Sequence, residues 1–173
     1  MPARDPLTFL FRDDGSVPNN PALPALIYKG AINAGADDPA RLIEDLFARN
    51  GWGQGQWRNG IYTFVHYHSM IHEALGIARG TARVQLGGPG GKTFDFEPGD
   101  VAVLPAGTGH QRLSGSRDLL VIGAYPPEGT YNLCRADNPA DRERALATIP
   151  KVPVPRSDPV LGEDGPLPKL WRG

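Results

Sequence analysis

Between residues 57 and 125 the apolar positions fall in short runs, many of them alternating with polar ones, and glycine or proline divides the runs. Alternation of this kind, rich in aromatic and β-branched residues, is the pattern of half-buried strands. The runs IYTFVHYH, ALGIA, TARVQL, KTFDF, VAVLP and LLVIGAY predict about six strands. Arg79-Gly80 separates the second from the third, GGPGG at 87–91 reads as a hairpin loop, and EPGD at 97–100 places Pro and Gly where a type II turn needs them. Trp57, Arg58 and Asn59 read as a turn before the first run.

Outside this block the period changes. The segment up to about Tyr28, with Pro18, Pro21 and Pro24, predicts an extended arm. A helix follows: Asp38 can cap it, Pro39 suits its first position, Leu42, Ile43, Leu46 and Phe47 form one apolar stripe, and Gly51 stops it. A second helix is expected at 139–149, opened by Asn138-Pro139 and closed by Pro150. The proline-rich remainder predicts an extended tail whose Val152, Val154, Leu167, Leu170 and Trp171 rest on the body of the protein, with a disordered tail the alternative. The division expected is a single domain, 1–173, with an N-terminal arm and helix at 1–56, a barrel core at 57–125, and a C-terminal helix and arm at 126–173.

Composition narrows the function classes. Lys+Arg 18 against Asp+Glu 19 leaves a net charge of -1 and no basic face, so nucleic acid is not an expected partner. No stretch reaches the ~18 apolar residues that span a bilayer, and acidic residues interrupt the start of the chain, so neither membrane nor secretory signal is expected. The lone Cys134 cannot form an internal disulfide, which fits a reducing, cytoplasmic setting, and no motif marks it as a nucleophile.

The chemistry concentrates in two windows. All four histidines lie in HYHSMIHE, residues 66–73, and in PAGTGH, ending at His110. On a strand His66 and His68 point to one face, ~6.6 Å apart, close enough to lean onto one ion. A straight continuation would add His72. The larger pair Leu75 and Ile77 shares the parity of Glu73, however, so a register reset across Ser69-Met70-Ile71 would bring Glu73 inward instead. Glu73 is therefore the expected ligand, with His72 the alternative. Arg83 and Gln85 alternate with Ala82, Val84 and Leu86; a surface position is expected for them, with a substrate-carboxylate role for Arg83 the alternative. Tyr62 and Phe64 share the histidine face.

Spacing then points to a family. Gly60, His66, His68, Glu73 and Gly80, followed by Gly99, Pro105, Gly107 and His110, resemble the two motifs of the cupins; Ser114 stands where those motifs place Asn. The flanking segments resemble one bacterial single-domain group, the YjlB-like cupins. The resemblance implies an all-β, jelly-roll (cupin) β-barrel with an N-terminal helix and a short C-terminal helix. It also implies one divalent transition metal ion held by His66, His68, Glu73 and His110. Three imidazoles and a carboxylate suit Zn, Fe, Mn, Ni or Cu, and the absence of cysteine from the motifs argues for a working site rather than a closed structural one. The expected activity is metal-dependent chemistry on a small organic molecule, oxygenase first and isomerase or lyase second. The alternatives are a small-ligand-binding or sensory module and a structural dimer, and extended arms make a homodimer the expected assembly.

Overall fold

The alternating runs fold into two antiparallel sheets that face each other. A computed structural model describes residues 5–172 of the chain. In order the elements are β1 (Leu7–Phe9), β2 (Ala25–Tyr28), helix α1 (Pro39–Arg49), β3 (Gln54–Asn59), β4 (His66–Tyr67), β5 (Glu73–Arg79), β6 (Ala82–Leu86), β7 (Lys92–Phe96), β8 (Val101–Leu104), β9 (His110–Gly115), β10 (Leu120–Tyr125), β11 (Cys134–Arg135), helix α2 (Pro139–Thr148) and helix α3 (Pro166–Arg172). One sheet is ordered β1-β2-β8-β5-β10-β3 and the other β11-β4-β9-β6-β7. Together they make a jelly-roll barrel, flanked by helices.

Three apolar layers hold it. Between the sheets, Ile27, Leu75, Ile77, Leu104 and Val121 meet Val84, Leu86 and Phe96. On the outer face of the first sheet, Leu26, Ala74, Val103 and Ile122 pack against Ile43 and Phe47 of α1, joined by Trp52, Leu167 and Trp171. On the outer face of the second, Tyr67 and Cys134 lie under Ala145 and Ile149. Strand β5 is buried on both sides, and its small residues face the helix for a reason: a Cβ on Gly76 would stand 2.7 Å from Cγ2 of Ile43.

Helix α1 starts as expected, the Asp38 side chain accepting from the Arg41 N–H at 3.1 Å. Its buried stripe is Ala40, Ile43 and Phe47; Leu42 is exposed and Leu46 half-buried, so the stripe is narrower than the sequence implies. Helix α2 also matches, with Asn138 as its cap. The EPGD turn closes with Asp100 N–H on Glu97 O at 3.1 Å, and Gly99 takes the positive φ of +94°.

Other expectations need correction. The first segment is not an arm throughout, because β2 is fully buried and sits between β1 and β8; four apolar residues covered on both sides leave no alternation to read. Trp57, Arg58 and Asn59 belong to strand β3, whose polar sequence suits an edge. The run IYTFVHYH is a strand only at His66–Tyr67. Upstream, its carbonyls accept bonds from other segments: Tyr62 O from Arg112 N–H, Thr63 O from the Gln111 side chain, and Val65 O from Ala136 N–H. Strand β9, polar along most of its length, is additional to the six expected, and the tail ends in α3 rather than extended chain. Of the tail's apolar residues Leu167 and Trp171 are buried, while Leu170 is exposed.

Candidate metal centre

Strand β4 and the residue that follows it aim His66 and His68 into the barrel while Tyr67 points out beneath α2. His110 opens β9 directly opposite His66 in the register. The chain then bends at 69–71, and β5 begins with Glu73 on the inner face it shares with Leu75 and Ile77. The four residues named from the sequence therefore come together. Ring nitrogens of His66, His68 and His110 lie within 4.8 Å of one another, all three residues buried. Glu73 Oε2 is 3.3 Å from His68 Nε2, and Oε1 is 3.3 Å from His110 Nε2.

His72 goes the other way. Its Nδ1 accepts the Ala106 N–H at 2.9 Å, its Nε2 donates to Pro153 O at 3.0 Å, and its ring packs on Trp171 at 4.8 Å. It is a spacer between the barrel and the C-terminal segment.

The tautomers of the clustered rings are set from behind. Nδ1 of His66 donates to Phe64 O at 3.0 Å, that of His68 to Asn132 O at 2.6 Å, and that of His110 to Thr108 O at 3.0 Å. A neutral imidazole with its proton on Nδ1 presents a bare lone pair at Nε2. Three such lone pairs and a carboxylate thus converge on one volume, and lone pair against lone pair at 3.3 Å is repulsive unless a cation lies between them. The site's electrostatics say the same. Burial would raise Glu73, but His68 and its hydrogen bonds outweigh burial and hold the carboxyl well below its usual range. Burial would lower His68, and the charge of Glu73 more than reverses that, raising it. His66, farther from the carboxylate, is pushed down to about 3 by burial and then by His110. In its simplest form the cluster holds a proton between His68 and Glu73; the donor set equally fits a divalent ion of the first transition row.

The cluster forms one wall of a cavity of about 400 Å³, the size of a small-molecule site. Trp57, Tyr62, Leu75, Arg112, Tyr125 and Tyr131 line the rest. A hydrogen-bond chain supports the carboxylate: Trp57 Nε1–H donates to Tyr125 Oη at 2.8 Å, so the Tyr125 proton goes to Glu73 Oε2 at 2.9 Å. Gly123 makes this possible, since a Cβ there would lie 2.0 Å from Cε2 of Trp57. Arg83 takes no part; it is exposed and bonded to Asp95 on β7. Ser114 is exposed on β9 opposite Arg83, and Tyr62 stacks edge-on against His66 at 5.1 Å.

Four neighbours of the cluster were given no place in the site by the sequence. Tyr125 could have been found, because it shares the parity of inward-facing Val121 in LLVIGAY. Trp57 and Arg112 required β3 and β9 to be seen as strands. Asn132, whose carbonyl holds His68 and whose side chain accepts the N–H groups of Ser69 and Met70, carries no periodic signal.

No protein-family model matches the chain. It is 37% identical over 168 residues to the uncharacterised protein YjlB of Bacillus subtilis, covering 97% of this chain and 98% of that one. It is 29% identical over 94 residues to a probable oxalate decarboxylase of Arthroderma benhamiae, a match to 50% of this chain and 23% of that protein. Among solved structures it is similar to acireductone dioxygenase from Bacillus anthracis with a cadmium ion in its active centre, at TM-score 0.38 and 18% identity, covering 61% of this chain and 80% of the other. Matched at 37% identity along almost its whole length, the chain belongs to the YjlB family.

Proposed function

We propose that the protein binds one divalent transition metal ion through Nε2 of His66, His68 and His110 and a carboxylate oxygen of Glu73, and uses it on a small organic molecule held in the adjoining cavity. The observation that carries this reading is the set of three backbone carbonyls on the three Nδ1 atoms. They supply the partners behind metal-binding imidazoles that fix tautomer and direction. When bound, the ion supplies Lewis acidity to a substrate oxygen. The chain's own residues do the rest. Glu73 contributes one negative charge, Tyr125 orients it, Trp57 walls the cavity, and the aromatic Tyr62 and Tyr131 shape its mouth. Four protein donors on an octahedral ion leave about two positions for substrate and co-substrate, so an oxygen-using reaction is the first reading and an isomerase or lyase reaction the second.

The test is elemental analysis of protein purified without chelator, beside His110→Ala. Close to one equivalent of metal is expected in the first and a small fraction of that in the second. Negligible metal in both rejects the proposal. Where metal is present, oxygen uptake over a substrate panel supports the oxygenase reading, and turnover without uptake supports the isomerase or lyase one.

A further inference from the structure

Arg112 faces inward on β9, two residues beyond His110 on the same face. In the register His110 stands opposite Leu86 and Arg112 opposite Val84, both residues of the inter-sheet core. Arg112 itself is half-buried, so its charge is only partly withdrawn from water. Among the described residues no carboxylate lies within ion-pair distance of Arg112. Only Nε of its guanidinium donors has a protein partner among those residues, the Ile61 carbonyl at 3.2 Å. That bond holds the side chain, its two terminal amino groups have no protein partner among the described residues, and Arg112 lines the cavity. Gly115, exposed at the end of β9, lies against this side chain, since a Cβ there would come within 3.3 Å of both Cδ and Nη1. The carboxylate that lines the cavity, Glu73, is already committed to His68, His110 and Tyr125.

We infer that Arg112 is the anchor for a carboxylate of the ligand, so that the cavity takes a small organic anion. One oxygen function of this anion reaches the histidine cluster, and a separate carboxylate sits on the guanidinium. This rests on the metal reading for the first contact only. A divalent ion with Glu73 and Arg112 leaves the cavity net positive, which favours an anion at either end, and the planar fork of arginine matches a carboxylate in a way a point charge does not.

Calorimetric binding of malonate, succinate and glutarate, each against its monoamide, tests the inference on the metal-loaded wild type, Arg112→Ala and Arg112→Gln. The glutamine variant keeps an N–H for Ile61 O. At least one diacid is expected to bind about tenfold more tightly than its monoamide to wild type, with that preference lost in both variants while metal content is unchanged. No diacid binding, or a preference that survives both substitutions, overturns the inference. If the wild type holds no metal, the proposed function fails separately. The same pairs on the metal-free protein then decide Arg112, an arginine-dependent preference supporting it and none refuting it.

Discussion

Four histidines in this chain divide into two kinds by which nitrogen carries the proton. His66, His68 and His110 give theirs to carbonyls behind them through Nδ1, whereas His72 uses Nδ1 as an acceptor and donates through Nε2. Burial pushes His72 down to about 4 from an ordinary 6.5. The folded chain therefore keeps it neutral while the unfolded chain takes up a proton, and stability falls as pH drops from 6.5 toward 4, by up to roughly 3 kcal/mol, and no further below that. Urea midpoints measured across this window are expected to decline more steeply for wild type than for His72→Gln; parallel declines would show that His72 does not titrate this way. That Glu73 faces inward and His72 the other way was legible from the parity of Leu75 and Ile77 alone. Asn132 was not, since a backbone acceptor can be any residue type.

Among the elements, β5 shows most directly how sequence sets position. Its inner residues are a carboxylate and two large aliphatic side chains, its outer ones Ala74, Gly76 and Ala78, and only residues that small let α1 settle on the sheet. Gly76→Ala is expected to cost about 1–3 kcal/mol by overpacking against Ile43, and Ile43→Ala in the same chain should cost less than it does in wild type. Chemical denaturation of the two single variants and the double variant measures that coupling, and strict additivity would refute the contact. The elements with clear alternation or caps, β5, β6, β7, α1 and α2, were readable from the sequence. Those that escaped each lack the pattern: β2 is apolar on both faces, β3 and β9 are largely polar, and β4 keeps only two paired residues because the carbonyls before it bond elsewhere.

Over the whole molecule, the segment after α2 is built in rather than trailing. Asp158, fully buried, accepts the Tyr28 hydroxyl from β2 and the N–H groups of Val160, Leu161 and Leu167, while Trp171 Nε1 donates to Pro24 O. Asp158→Ala strands those donors and is expected to lower unfolding free energy by roughly 3 kcal/mol, read from urea unfolding; a change inside about 0.5 kcal/mol would mean the knot is not structural. Proline-rich text with scattered apolar residues told that the tail docks, but not that it ends in a helix, because docking depends on partners far away in sequence. The bond from His68 to Asn132 has a similar reach, since it crosses from β4 to a loop beyond β10. Grafting residues 60–115 into a foreign scaffold would therefore move all four donor side chains yet leave one imidazole free to spin, so the portable unit of this centre is longer than its motifs.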